Sequence, residues 1–123
     1  MEKVKNTTVV FVDDDRVQHM INKRILEKLK LKLDVYFFHN PLEALSWLSE
    51  NYVDVILLDI NMPEMDGWTF LGQMKAKGIK GDVKMLTASL DPEDLEKSKM
   101  FDQISSILIK PIKEEDYLKF LTN

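Results

Sequence analysis

The stretch Val55-Ile56-Leu57-Leu58-Asp59-Ile60-Asn61-Met62-Pro63-Glu64-Met65-Asp66-Gly67 sets the reading of the whole chain. Four consecutive apolar residues stop at a carboxylate, a loop with Pro63 follows, and Gly67 leads into Trp68, Phe70, Leu71 and Met74 at helical spacing. An unbroken run of Val, Ile and Leu is what a strand buried on both faces requires, and an alternating run is not. The segment therefore predicts a strand, a loop carrying an acid at its start, and a helix that stops near Gly78.

The same unit recurs along the chain. Further apolar runs at Thr8–Val12, Leu33–Phe38, Val83–Leu86 and Ile107–Ile109 join Val53–Leu58, and each is followed by a helical pattern. In the first helix Val17, Met20, Ile21, Ile25 and Leu29 recur at three- and four-residue steps, predicting that they form the buried stripe. Asn40-Pro41-Leu42-Glu43 and Asp91-Pro92-Glu93-Asp94 are helix starts, with a capping side chain before Pro at the first helical position. The last helix is expected from Glu114 to Leu121. Five strand–helix repeats with no linker predict one α/β domain over 1–123, a parallel sheet with helices on both faces and right-handed crossovers.

Composition excludes several classes. The 123 residues are 45% hydrophobic and 31% charged, which favours a packed core over disorder. The absence of cysteine removes disulfides, thiolate metal sites and cysteine nucleophiles. A net charge of −4, from 17 basic and 21 acidic residues, argues against nucleic acid as a partner. No apolar run reaches the ~20 residues of a membrane span, and the start MEKVKNTT lacks a signal-peptide core. A cytoplasmic location with no membrane association is the expectation.

The chemistry lies at the ends of the strands. Asp13, Asp14 and Asp59 follow the first and third strands, and ligands of open parallel sheets bind beyond those ends. If the two strands are neighbours, three carboxylates share one crevice. At about 5 Å each pair repels by roughly 3 kcal/mol at an effective dielectric near 20, so a cation is needed to hold them together. Oxygen-only ligands favour Mg²⁺ over Zn²⁺. Asp15 is read as a helix cap; capping explains at most one acid in each loop, so the metal reading leads for the others. Thr87 and Lys110 end the fourth and fifth strands on the same rim. A hydroxyl and a cation around a carboxylate suit a phosphoryl group, whose oxygens need donors and positive charge on several sides.

These residues resemble the receiver domain of two-component response regulators. The resemblance rests on Val12-Asp13-Asp14, the run Leu57 to Gly67, Leu86-Thr87-Ala88 and Ile109-Lys110-Pro111, in family order across essentially the whole chain. It implies strand order 2-1-3-4-5, the flavodoxin-like arrangement. It also implies Asp59 as phosphoacceptor, taking its phosphoryl group from a sensor histidine kinase, a histidine phosphotransfer protein or a small acyl phosphate. Asp14, Asp59 and the backbone carbonyl of Asn61 would ligate Mg²⁺, with Asp13 acting through a water. Lys110 would pair with phosphoryl oxygens and Thr87 would donate to one. Pro63 and Gly67 would shape the loop, glycine supplying backbone freedom.

Where the family commonly carries Tyr or Phe three residues before the lysine, this chain has Ile107, so the aromatic switch is not carried over. Asn61 and Ser89, both small and polar, would flank the path of attacking water and give the phosphoryl bond a moderate lifetime. A stand-alone receiver is expected, signalling to a downstream protein through the fourth helix, fifth strand and fifth helix around Leu95, Ile107, Tyr117 and Leu118. His19 and His39 are read as surface residues, and Trp47 and Trp68 as packing residues. A flavin site would need a Ser/Thr/Gly phosphate loop where the three aspartates stand, and a phosphatase would need a cap.

Overall fold

A computed structural model describes residues 6–122. Part of the N-terminal reading, Met1 to Lys5, lies outside them. The chain alternates strand and helix throughout: β1 (Thr7–Val12), α1 (Arg16–Leu29), β2 (Leu33–Phe38), α2 (Pro41–Leu48), β3 (Val55–Asp59), α3 (Gly67–Ala76), β4 (Asp82–Thr87), α4 (Pro92–Ser98), β5 (Ile104–Ile109) and α5 (Glu114–Leu121). All four strand pairings are parallel, in the order β2-β1-β3-β4-β5. The predicted architecture and order are those observed.

Alternating side chains separate two cores. Val10, Val12, Ile56, Leu58, Val83 and Met85 pack with Ala44, Leu45 and Leu48 of α2 and Phe70, Leu71 and Met74 of α3. Val9, Phe11, Val55, Leu57 and Leu86 face Leu26 of α1 and Tyr117 of α5. Burial of each large apolar side chain contributes about 1.5–3 kcal/mol. The helix starts are capped as their sequences require. Asp15 Oδ1 accepts from the amides of Val17 at 3.0 Å and Gln18 at 3.3 Å, and Asn40 Oδ1 accepts from Leu42 at 2.8 Å. Lys30, beyond α1, adopts the left-handed conformation with φ 53° and its amide bonds back to the Glu27 carbonyl.

β1 and β4 extend the expected runs by one residue at the ends that move, and the starts of β3 and β5 shift further. β3 begins at Val55, although Val53 is buried, and ends on Asp59. β5 begins at Ile104 and includes Ser105 and Ser106, which the apolar run Ile107–Ile109 did not cover. β5 is an edge strand, and Ser105 is exposed on it, its hydroxyl accepting from Lys84 Nζ at 2.7 Å.

α1 is rotated from the predicted stripe. Val17, Met20 and Ile21 are 63%, 58% and 40% exposed, while His19, Asn22, Ile25, Leu26 and Leu29 turn inward. Each inward polar residue has a partner: His19 Nε2 lies 3.1 Å from the Phe38 carbonyl, and the Tyr117 hydroxyl donates to Asn22 Oδ1 at 2.7 Å. A polar side chain that finds a hydrogen-bond partner can occupy a core position that apolar periodicity assigns elsewhere. His19 is therefore half-buried, not a surface residue, whereas His39 is exposed, 2.9 Å from the Arg16 guanidinium. Trp47 and Trp68 do pack, against Tyr36 and Phe101 respectively. Among the described residues, no helix is long and apolar enough to cross a membrane.

Candidate functional site: an acidic rim at the strand ends

The sheet register assembles the site. β1 pairs with β3 through Val12 and Leu58, so the next residues, Asp13 and Asp59, stand side by side where the two strands end. β4 pairs with β5 through Thr87 and Ile109, which brings Lys110 to the same edge. Backbone bonds hold each exit: the Asp13 amide donates to the Phe38 carbonyl at 3.0 Å, Ile60 to Leu86 at 2.9 Å and Lys110 to Thr87 at 2.8 Å. This edge is the switch point of the topology, since chain connections leave β1 and β3 in different directions.

Oxygens of Asp13, Asp14 and Asp59 all lie within 4.8 Å of one another. Asp13 and Asp59 are buried and Asp14 is exposed to solvent. Lys110 Nζ bridges the buried pair, 2.7 Å from Asp13 Oδ2 and 3.2 Å from Asp59 Oδ1. Burial, followed by the charge of Asp13, pushes the Asp59 carboxyl up to about 6, against the opposing pull of Lys110 and the Asn61 amide. Burial works to lower the Lys110 ammonium, but the hydrogen bond and charge of Asp13, and then Asp59, outweigh it and leave its pKa raised. One ammonium thus faces two carboxylates, with a third beside them. The set is oxygen-only and carries excess negative charge, and it fits a hard divalent cation such as Mg²⁺.

Other predicted residues are placed more loosely. Asn61 is exposed, its amide 3.4 Å from Asp59 Oδ1. Thr87 is buried at the rim, but its hydroxyl donates to the Ser89 carbonyl at 2.8 Å, within its own loop. Ile107 is half-buried against the α2–α3 core. Tyr117, expected on the output face, is fully buried, and burial followed by the charge of Asp116 raises its phenol pKa. Its hydroxyl bonds to Asn22 under α1, so it cannot belong to an exposed surface.

Gly67 has a different reason from the one predicted. Its φ is not positive, unlike that of Gly78 at 69°. A Cβ on Gly67 would stand 2.8 Å from the Asp59 carbonyl oxygen, 2.9 Å from Met85 Cε and 3.0 Å from Ile60 Cα. The position demands a missing side chain, because the start of α3 presses on the backbone of Asp59. Nothing in the local sequence distinguishes these two needs.

The chain matches the model of the response regulator receiver domain over residues 9–122. It is 31% identical over 111 residues to the probable C4-dicarboxylate response regulator DctR of Priestia megaterium, covering 90% of this chain and 48% of that protein. The chain thus spans less than half the length of this curated relative. The structure is similar to chemotaxis protein CheY4 of Vibrio cholerae, with a TM-score of 0.78, 27% identity and coverage of 95% and 97% of the two chains. It also shares its fold with the receiver domain of sensor histidine kinase PA1611 from Pseudomonas aeruginosa, solved with a magnesium ion in the active site cleft. There the TM-score is 0.79, at 22% identity and 95% coverage of both chains. Since the family match runs from β1 through α5 and takes in every strand end that builds the acidic rim, the chain belongs to the response regulator receiver domain family, the regulatory phosphoacceptors of two-component signalling.

Proposed function

We propose that Asp59 accepts a phosphoryl group in a Mg²⁺-dependent reaction and that the phosphorylated chain signals by binding another protein. The observation that carries this is Lys110 bridging Asp13 and Asp59 beside Asp14, with oxygens of the three carboxylates within 4.8 Å of one another. An ionised Asp59 oxygen attacks phosphorus, forming an O–P bond as the P–N bond of a phosphohistidine breaks, and the electron pair leaves on the imidazole nitrogen. With acetyl phosphate the leaving group is acetate. Asp13, Asp14, Asp59 and the Asn61 carbonyl would hold Mg²⁺, which neutralises the carboxylates and the incoming phosphoryl oxygens.

Lys110 remains as a second positive group, able to turn from Asp13 to the new phosphoryl oxygens. Thr87 can follow only by giving up its bond to the Ser89 carbonyl, which moves the loop after β4. The output surface is α4, β5 and α5, where Leu95, Ile109 and Leu118 are exposed, with exposed Leu90 just before α4. α4 buries no residue in the fold, so it is the helix least restrained by packing. Exposed Asn61 and Ser89 leave water access to the phosphoryl bond, consistent with a moderate lifetime.

Incubation with Mg²⁺ and acetyl phosphate should give one phosphoryl adduct by intact mass, absent from Asp59→Asn. No adduct on the wild-type chain, or one that persists in Asp59→Asn, would sink the reading. The donor protein, a histidine kinase or phosphotransfer protein, is proposed to rest on Val17, Met20 and Ile21, which begin just past the acidic loop. Met20→Glu is expected to slow transfer from a phosphohistidine protein by about tenfold or more, the cost of a charge in an apolar contact. The acetyl phosphate rate should stay the same; equal loss with both donors would count against this surface.

A further inference from the structure

We propose that His19 is a positioning residue for the acidic site, acting through the Phe38 carbonyl on the backbone of Asp13. This rests on the reading of Asp13 as a Mg²⁺-site residue, and it adds a residue outside the four resemblances on which that reading was built. The Phe38 carbonyl accepts two bonds, from the Asp13 amide at 3.0 Å and from His19 Nε2 at 3.1 Å. A carbonyl can only accept, so Nε2 carries the proton. The two donors come from opposite sides of the β1–α1 loop, which holds Asp13, Asp14 and Asp15.

Several observations make this more than incidental packing. β2 is an edge strand, and its last residue, Phe38, has a neighbouring strand on one side only. Beyond that pairing, α1 reaches the end of β2 through two side chains, Arg16, whose guanidinium lies 2.9 Å from His39 Nε2, and His19, whose bond falls on the same Phe38 carbonyl from which the Asp13 amide hangs. The imidazole is seated against Phe37, with ring centroids 5.2 Å apart, so its direction is set by packing. Its Nδ1 is buried and has no partner among the described residues. A buried, unsatisfied nitrogen is costly, and its cost offsets much or all of what a single neutral hydrogen bond returns. Histidine is thus a poor choice for stability alone, since phenylalanine would pack on Phe37 without the penalty. The feature that only the histidine supplies is the donor at Nε2.

What the donor holds still is the part of the site with least tolerance. Asp13 Oδ1 accepts from the Asp15 amide at 2.9 Å and Oδ2 from Lys110 at 2.7 Å, so a shift of the Asp13 backbone disturbs both arms. Ion and phosphoryl sites lose function when their ligands stray by about 0.5 Å, and supporting bonds prevent that. His19 therefore ties α1, the end of β2 and Asp13 into one unit.

Two variants test it, His19→Phe and His19→Gln, each measured on the full chain. In His19→Phe without Mg²⁺, hydrogen exchange at the Asp13 amide should accelerate by about five- to tenfold, the equivalent of one neutral hydrogen bond. The core amides of Phe11 and Leu57 should exchange as in wild type. Mg²⁺ affinity by calorimetry should fall by about three- to tenfold, less than for a direct partner of a metal ligand. Gln at 19 offers an amide donor and should restore part of both effects. The proposal is overturned if the Asp13 amide is unaffected, or if core amides accelerate alongside it, which would indicate a purely structural role. Absence of Mg²⁺ binding by the wild-type chain would instead overturn the metal reading, and the exchange comparison would still decide the role of His19.

Discussion

In Mg²⁺-free buffer at pH 7, Asp59→Asn is expected to be more stable than the wild-type chain by about 3 kcal/mol. Folding carries the Asp59 carboxyl from 3.8 to about 6, a rise of about two units at about 1.4 kcal/mol each. The folded state holds the proton more tightly than the unfolded one, so stability falls as pH rises between these values. Well below pH 4 both states are protonated and the wild-type side chain resembles the asparagine, so the difference should be small by pH 4 and vanish below it. Urea denaturation at pH 7, 5.5 and 4 with a chelator measures it; a constant gap across that range, or none at pH 7, would refute the assigned electrostatics. Asp14→Ala is the contrast. Its carboxylate is exposed, where water screens like-charge repulsion, and the gain should be far smaller. Mg²⁺ should reverse the ranking by binding the folded wild-type site. A cluster that destabilises the chain which carries it has its explanation in chemistry and not in folding.

Gly67→Ala should destabilise the fold by about 1–3 kcal/mol, the usual cost of overpacking a tight site. Two of the three atoms that the new methyl meets belong to the backbone of Asp59 and Ile60, at 2.8 and 3.0 Å, and these cannot rotate away as a methionine tip can. Relief has to come from moving the end of β3 or the start of α3, and either displaces Asp59, the proposed phosphoacceptor. Phosphorylation by acetyl phosphate should therefore slow even under conditions where the variant is fully folded. Gly72→Ala is the control: it lies inside α3 with nothing within 4 Å of the added methyl. It should stabilise, by up to about 1 kcal/mol, since alanine is the better helix former. Equal behaviour of the two variants would show that Gly67 is not needed for close approach.

The central strand β3 was readable because it is buried throughout and apolar up to its last residue. Val55 to Leu58 could be little else, and the acid that interrupts them marks where burial ends. The edges were harder. β5 carries Ser105, exposed and bonded to Lys84, and Ser106 next to it, and these hydroxyls erased the apolar signal for half its length. α1 was misread for a related reason. Apolar spacing points to Val17, Met20 and Ile21, yet the inward stripe includes His19 and Asn22. Their partners, the Phe38 carbonyl and the Tyr117 hydroxyl, come from distant parts of the chain. No local pattern reveals that a polar side chain will find a partner so far along the chain. The spacing of His19 with Asn22 and Leu26 was the one available hint.

Residue order alone determined which groups end each strand, and so which side chains could ever share the rim: Asp13 and Asp14, Asp59, Thr87 and Lys110. A parallel sheet makes this possible, because all its strands finish at one edge and covalent order sets what finishes there. The tertiary structure decided how those groups meet. It put Asp13 beside Asp59 through the β1–β3 register, set Lys110 between them and engaged the Thr87 hydroxyl with Ser89. It also pressed Gly67 against Asp59 and turned His19 inward. Such relations depend on distances between segments far apart in sequence, which packing resolves to tenths of an ångström and composition does not encode.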